Sequence, residues 1–212
     1  MGKLEEIAEA IEGGKSKIIA GLVEEALAEG VDPLRILNEA MIATMGNVGE
    51  KFKKAEIFVP EMLVAARAMK KGVEVLKPKL AAGAATAAGK CIIGTVSGDL
   101  HDIGKNLVGM MIESAGFEVI DLGVDVPVDK FIETLKANPD TKVVAVSALL
   151  TTTMPAMKDT VAAIKASGLG GGFKVIVGGA PITQDYANQI GADAYAPDAA
   201  SAAVVAKQLA AA

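Results

Sequence analysis

The residues whose types and spacing could most clearly do chemistry lie next to the single histidine of the chain, His101. It lies two residues after Asp99 in the segment Gly98-Asp99-Leu100-His101-Asp102-Ile103-Gly104. An imidazole can bind a metal while a nearby carboxylate holds its second nitrogen in one tautomer. The alternative is a solvated histidine in a loop whose aspartates cap the next helix. Both interpretations stay open on this segment alone.

The rest of the sequence restricts the kind of metal site. The chain has one cysteine, Cys91, and no second histidine, which excludes an internal disulfide and a zinc cluster. His101 can still serve as one axial ligand to a metal that a macrocycle already holds. Cys91 opens an apolar segment, and we expect it to be a core residue rather than a nucleophile.

Two further motifs follow later in the chain. One is the hydroxyl-bearing run Ser147-Ala148-Leu149-Leu150-Thr151, and the other is the pair Gly178-Gly179. Missing side chains at the glycines permit close approach by a bulky ligand. Taken singly, the hydroxyls are also consistent with ordinary helix capping and the glycines with an ordinary turn.

All three motifs follow apolar segments that read as strands. From Lys90 the chain alternates strand patterns with helical patterns, and the predicted strands are CIIGTV, FEVIDL, VVAVSA, FKVIVGG and DAYA. Fully apolar strands alternating with helices predict a five-stranded parallel sheet in a doubly wound α/β domain, flavodoxin-like and Rossmann-type, over residues 90–212. Such sheets bind ligands at the carboxyl ends of their strands, where the three motifs fall.

The first part of the chain has a different periodicity. Apolar residues recur at helical spacing through residues 1–80, and the breaks at Gly13-Gly14, Gly30 and Asp32-Pro33 divide this region into four helices. We therefore predict an all-α four-helix bundle. Residues 81–89, rich in alanine and glycine, are the expected linker between the two domains.

Charge and hydropathy narrow the functional class. The 212 residues carry 21 Lys and Arg against 26 Asp and Glu, a net charge of −5. This balance argues against nucleic acid or an anionic membrane as a partner. No apolar stretch reaches the roughly 20 residues that span a bilayer, and no signal peptide is evident at the N-terminus. We expect a cytoplasmic protein.

Together the three motifs resemble the cobalamin-binding signature of corrinoid proteins and of the cobalamin domain of methionine synthase. The signature is present here as Asp99-x-His101-x-x-Gly104, Ser147-x-Leu149 and Gly178-Gly179. The helical region is similar to the cap domain that precedes that module, notably at 48–52 (VGEKF) and 58–62 (FVPEM). In length the chain is similar to the small corrinoid proteins of methanogens and acetogens.

The resemblance implies the cofactor and its contacts. Cobalamin or a related corrinoid, such as methylcobalamin, would bind with His101 as the lower axial ligand of its cobalt. A hydrogen-bonded chain would continue from His101 through Asp99 to Ser147, the three residues closest to the chemistry. The expected cofactor contacts are Gly98, Asp99, His101, Asp102, Ile103, Gly104, Ser147, Leu149, Thr151, Gly178, Gly179 and Ala199.

The resemblance also implies that the helical bundle covers the upper face of the corrin ring and moves aside when a methyl donor arrives. The candidates for that face are Met45, Val48, Phe52, Phe58 and Met62. The alternative is that these side chains form the core of the bundle itself.

The implied function is that of a methyl carrier, not catalytic on its own. A substrate-specific methyltransferase would load the methyl group from a methylamine, betaine, methanol or methoxylated aromatic. A second methyltransferase would pass it to a thiol or a tetrahydrofolate, and a reductive activator would restore the corrinoid. The alternatives are a cobalamin-dependent sensor or regulator, the small subunit of a radical mutase, and a response-regulator-like domain without cofactor.

Overall fold

The computed structural model describes residues 2–80, 88–169 and 172–211. The chain divides into two compact units, Met1–Ala87 with Ser114–Gly116 and Ala88–Glu113 with Phe117–Ala212. Most of the expected linker at 81–89 lies outside the described residues, so the domain boundaries placed there stay predictions. Within the described residues, no helix is both long and apolar enough to cross a bilayer.

The first unit consists of helices, as the periodicity predicts. Their bounds are α1 Lys3–Glu12, α2 Ile19–Ala28, α3 Pro33–Arg35, a π-helical segment Ile36–Ile42, α4 Ala43–Lys53, α5 Val59–Leu76 and a 3₁₀ turn Lys77–Lys79. The segment from α3 through α4 is one continuous helical run, so the predicted third helix is present with a π-helical stretch inside it. The four-helix arrangement is therefore confirmed.

Local sequence signals account for where these helices begin. The Asp32 carboxylate accepts a 3.1 Å hydrogen bond from the backbone N–H of Arg35, and Pro33 occupies the first position of α3. Helix α5 begins similarly, with the Glu61 carboxylate accepting from the backbone N–H of Phe58. Helix α1 packs against α2, α4 and α5.

The second unit is a five-stranded parallel sheet. Its elements are β1 Lys90–Thr95, α6 Ile103–Ser114, β2 Glu118–Asp121, α7 Val128–Ala137, β3 Thr141–Ser147, a 3₁₀ turn Thr151–Thr153, α8 Met154–Ala166, β4 Lys174–Gly178, α9 Gln184–Ile190, β5 Ala194–Tyr195 and α10 Ala199–Ala211. The strand order is β2-β1-β3-β4-β5 with every pairing parallel. The doubly wound fold predicted from the apolar strands is confirmed.

Register places the ends of three strands in line. Thr95 pairs with Ser147, and Ser147 pairs with Gly178, so β1, β3 and β4 end side by side. After β1 the chain forms β2 on one side of it, and then crosses over to form β3 on the other side. The strand order thus reverses between β1 and β3, which is where open α/β sheets bind ligands.

The core of this unit leaves little room at the centre of the sheet. A Cβ atom on Gly94 in β1 would lie 2.8 Å from the Phe131 ring of α7. Cys91 is fully buried, and burial raises the pKa of its thiol to about 12, which supports the expectation of a core residue.

Candidate functional site

Asp99 is the centre of the hydrogen-bond network at the carboxyl ends of the strands. Its side chain is fully buried in the loop after β1. One carboxylate oxygen lies 2.8 Å from Nδ1 of His101 and accepts the backbone N–H of the same residue at 3.1 Å. The other accepts the backbone N–H of Leu149 at 2.7 Å and lies 2.8 Å from Oγ1 of Thr153. Both oxygens are thus satisfied in the charged form.

These contacts set the charge of Asp99. Burial by itself raises the pKa of a carboxyl group, because the low dielectric penalises the charge. The hydrogen bonds from Leu149, His101 and Thr153 outweigh burial and hold the pKa of this carboxyl well below its usual range. Asp99 is therefore a buried anion at neutral pH.

That anion fixes the tautomer of His101. A carboxylate can only accept, so Nδ1 carries the proton and Nε2 keeps a free lone pair. Among the described residues, nothing is hydrogen-bonded to Nε2, and 51% of the side-chain surface is exposed. The loop is held from below as well, because the Thr95 hydroxyl donates to the backbone carbonyl of His101 at 3.0 Å. His101 thus offers one oriented nitrogen ligand.

The third member of the network differs from the expectation. Thr153, in the 3₁₀ turn after β3, donates its hydroxyl to Asp99, whereas Ser147 makes no side-chain hydrogen bond within the described residues. The Thr153 hydroxyl also lies 2.9 Å from the carbonyl of Leu150, but its single proton favours the charged acceptor. Within the described residues the network therefore runs through Thr153, and the expected role of Ser147 stays a prediction. Ser147 is the last residue of β3, whereas Thr153 lies in the 3₁₀ turn that follows, where the chain approaches Asp99.

Four apolar side chains are exposed on the two loops that meet at Asp99. Leu100 is 73% exposed and Ile103 is 81% exposed, and Leu149 and Leu150 from the loop after β3 are each 40% exposed. Exposed leucine and isoleucine gathered at one loop cluster indicate a binding surface rather than ordinary protein surface. A broad ligand with an apolar face fits this surface.

Polar contacts hold the rest of the histidine loop, which is the segment 96–102 between β1 and α6. Gly98 has a φ of +81°, which favours glycine. Asp102 accepts a hydrogen bond from Asn106, and Asn106 in turn accepts one from the ammonium of Lys105. Lys105 is a buried lysine that the sequence analysis did not single out, and it also binds the carboxylate of Asp121 at 2.5 Å. Its position in the first turn of a helix gave no signal for that ion pair.

The fold itself explains the two glycines at the end of β4. A Cβ atom on Gly179 would lie 1.8 Å from the carbonyl oxygen of Ala148, and one on Gly178 would lie 2.9 Å from the carbonyl oxygen of Ala196. Backbone contacts therefore require glycine at Gly179, where φ is +133°. Their predicted contact with the tail of a ligand stays a prediction.

The remaining predicted contacts fall on different surroundings. Thr151 is exposed in the loop after β3. Ala199 is buried at the first position of α10, and Asp198 before it accepts the backbone N–H of Ser201. The structure thus brings Asp99, His101 and Leu149 together by direct contact.

The bundle residues proposed for the upper face divide into two groups. Met45, Val48 and Met62 are buried side chains, as the core alternative predicts. Phe52 is half-buried, and Phe58 is 63% exposed at the start of α5. Phe58 is thus the residue of this set that offers most surface to a ligand.

The donor set decides which kind of metal the site suits. Within the described residues, no group of three or more His, Cys, Asp and Glu could hold a metal ion. The Nε2 atom of His101 in an apolar setting suits instead a metal that a large ring already holds at its equator. The residues present thus fit a corrinoid with His101 as the axial ligand.

Comparisons with known proteins agree with this geometry. Residues 3–77 and 89–205 each match a family described as B12 binding domain. The chain is 44% identical over 208 residues to dimethylamine corrinoid protein 3 of Methanosarcina acetivorans, covering 98% of this chain and 97% of the relative. It is 42% identical over 193 residues to trimethylamine corrinoid protein 1 of Methanosarcina mazei, covering 90% and 89%.

Two solved structures are similar over nearly the whole chain. A cobalamin-binding protein from Desulfitobacterium hafniense has a TM-score of 0.81 at 34% identity, covering 97% of this chain and 98% of that one. The methanol:cobalamin methyltransferase complex MtaBC from Methanosarcina barkeri has a TM-score of 0.86 at 30% identity, covering 99% and 80%. The chain belongs to the family of B12-binding corrinoid proteins, and its cofactor is cobalamin or a related corrinoid.

Proposed function

We propose that this chain carries a methyl group from a methylamine-specific methyltransferase to a second methyltransferase. The observation that carries the proposal is the buried Asp99 anion that holds Nδ1 of half-exposed His101 at the point where the sheet order reverses. The relatives named for dimethylamine and trimethylamine support a methylated amine as the methyl donor.

The bound corrinoid supplies a cobalt ion that can accept a methyl group from one enzyme and give it up to another. The protein supplies the ligand and its environment. His101 presents Nε2, and Asp99 keeps the proton on Nδ1, which makes the imidazole a stronger donor.

Thr153 and Leu149 complete this arrangement. Their hydrogen bonds keep Asp99 charged, so that the proton stays on Nδ1 of the ring rather than passing to the carboxylate. The exposed Leu100 and Ile103 would exclude water from the lower face of the ring. Ligand position and solvent exclusion are thus the tasks of this loop.

The partners are methyltransferases. We further propose that the acceptor enzyme delivers the methyl group to a thiol or a tetrahydrofolate, and that a reductive activator restores the corrinoid after oxidation. A cytoplasmic location and the absence of nucleic-acid and membrane partners stay predictions from the sequence.

The test is reconstitution with hydroxocobalamin followed by desalting and an absorption spectrum. We expect the wild type to retain about one corrinoid per chain and His101→Ala to show a changed axial-ligand spectrum. Lys136→Ala, on the exposed face of α7, is the matched control and should match the wild type. Methyl transfer from dimethylamine, trimethylamine and methanol with the corresponding methyltransferases then identifies the donor. A folded wild type that retains no cobalamin would show the proposal to be wrong.

A further inference from the structure

Asp125 has a backbone conformation that non-glycine residues rarely adopt. Its φ is +51°, and in the described part of the chain it shares a positive φ with just one other non-glycine residue, Ala55. Aspartate tolerates this region better than most residues because its short carboxylate can hydrogen-bond locally. Asp125 lies in the loop between β2 and α7, outside the motifs of the sequence analysis.

Within the described residues, the hydrogen bonds of Asp125 all join it to the histidine loop. Its backbone N–H donates to the carbonyl of Asp99 at 2.9 Å. Its Oδ1 atom accepts the backbone N–H of Gly98 at 2.7 Å and lies 3.4 Å from the hydroxyl of Ser97. One residue thus binds three consecutive residues just before the axial ligand.

The loop that carries Asp125 is itself fixed to the sheet. The next residue, Val126, forms a parallel bridge with Val96 at the end of β1, and its N–H donates to the carbonyl of Thr95 at 3.0 Å. Leu149 and Thr153 hold the Asp99 side chain, while Asp125 holds the Asp99 backbone. Asp99, whose carboxylate orients His101, is therefore restrained through both its side chain and its backbone.

We propose that Asp125 is a positioning residue for the axial ligand, fixing the Gly98–Asp99 backbone so that Nε2 of His101 is held where a metal can bind it. The proposal rests on the proposed function, since it assumes that His101 ligates a corrinoid. Without the carboxylate, Gly98 loses its acceptor and the loop gains alternative conformations, so the ligated state becomes less populated.

The experiment compares Asp125→Gly with Asp125→Asn. Glycine accepts the positive φ but has no acceptor, whereas asparagine tolerates the same φ and keeps an oxygen at the same place. Asp140→Gly is the matched control, because it makes the same change in the turn before β3, at the opposite ends of the strands from the site. The four proteins are reconstituted with cobalamin and reduced to Co(II).

The readout is the electron paramagnetic resonance spectrum of protein made with ¹⁵N-histidine. Because His101 is the single histidine, splitting by ¹⁵N reports its ligation alone. We expect Asp125→Gly to lower the ratio of ligated to free histidine about tenfold, the effect of one hydrogen bond to a charged group. Asp125→Asn and Asp140→Gly should keep the wild-type ratio.

A second readout needs no corrinoid. Amide hydrogen exchange at Gly98 should accelerate about tenfold in Asp125→Gly and stay near the wild-type rate in Asp125→Asn. Should Asp125→Gly not fold, Asp125→Ala, which has no acceptor in its side chain, is measured in its place.

The outcomes separate this inference from the proposed function. Unchanged ligation in Asp125→Gly, with ¹⁵N splitting present in the wild type, overturns the positioning role and leaves the carrier function standing. A wild type that binds cobalamin without ¹⁵N splitting overturns both the ligand assignment and the role of Asp125. A wild type that binds no cobalamin overturns the carrier function itself, and the positioning role with it.

Discussion

The buried carboxylate of Asp99, in the loop after β1, accepts a 2.7 Å hydrogen bond from the backbone N–H of Leu149, in the loop after β3. These strands are neighbours in the sheet, and the order of the strands reverses between them. A single charged side chain therefore joins the loop after β1 to the loop after β3 and also holds the ring of His101.

Stability should fall in acid because of Asp99. Its pKa is lowered in the folded protein, since hydrogen bonds outweigh burial, so the charged group stabilises the fold above the unfolded pKa of about 3.9. This stabilisation is lost as the pH falls below that value towards the folded pKa. Urea unfolding of the corrinoid-free protein from pH 7 to pH 3 measures it.

Asp99→Asn serves as the reference for that series. It cannot titrate, so the difference in free energy of unfolding between wild type and variant should narrow below about pH 4. Glu39→Gln, at an exposed surface ion pair with Arg35, should track the wild type. A difference between wild type and Asp99→Asn that stays constant from pH 5 to pH 3 would contradict the prediction.

Thr153 should matter more than Ser147. Thr153→Val keeps the volume of the side chain but removes the donor to a buried anion, so it should lower the free energy of unfolding by about 1–3 kcal/mol. Thr153→Ser keeps the hydroxyl and should stay close to the wild type. Ser147→Ala is the matched control and should change the free energy by less than about 0.5 kcal/mol. Equal losses for Thr153→Val and Ser147→Ala in chemical denaturation would assign the role to both hydroxyls.

Gly179→Ala should be severely destabilising. The added Cβ would lie 1.8 Å from the carbonyl oxygen of Ala148, and neither backbone can move without disturbing a strand end. We expect a loss of about 3 kcal/mol or more in the free energy of unfolding. Gly123→Ala has a φ of +87° but open space around its Cβ, so it should lose about 1 kcal/mol. Similar thermal midpoints for the two variants would show that the clash relaxes cheaply.

Gly104→Ala should separate ligand binding from folding. Among the described residues, no atom beyond its chain neighbours and its own helix backbone lies within 4 Å of the added Cβ in this first turn of α6. The variant should therefore be as stable as the wild type or about 0.5 kcal/mol more stable. If Gly104 lies beneath the ring as the resemblance implies, the methyl group should weaken corrinoid binding about tenfold. Gly109→Ala in the same helix meets only ordinary contacts and should leave binding unchanged. Equal affinities in a cobalamin titration would remove Gly104 from the proposed contacts.

The two groups of bundle residues should respond differently to truncation. Met45→Ala removes a buried side chain and should cost about 2–5 kcal/mol. Phe58→Ala removes a side chain that is 63% exposed and keeps the Glu61 contact to its backbone, so the loss should stay below about 1 kcal/mol. If Phe58 covers the upper face of the ring, its loss should also speed the oxidation of the reduced corrinoid by oxygen. A large stability loss for Phe58→Ala would place it in the core instead.

The sequence by itself determined the fold class and the location of the site. Alternating apolar strands and helices permit few arrangements, and the parallel sheet that results must bring the strand ends near His101, Ser147 and Gly178 to one edge. A single histidine also restricts the metal chemistry without any coordinates, because one side chain cannot hold a free ion.

The tertiary structure decided which atoms meet at that edge. Thr153 rather than Ser147 donates to Asp99, and Asp125 rather than a motif residue holds the loop, because both depend on how the chain turns after a strand ends. Strand patterns repeat every two residues and fix register, but a turn that brings together residues 54 positions apart leaves no periodic signal. Gly179 shows the same limit, since glycine is required there by the carbonyl of Ala148, which follows the end of the neighbouring strand β3.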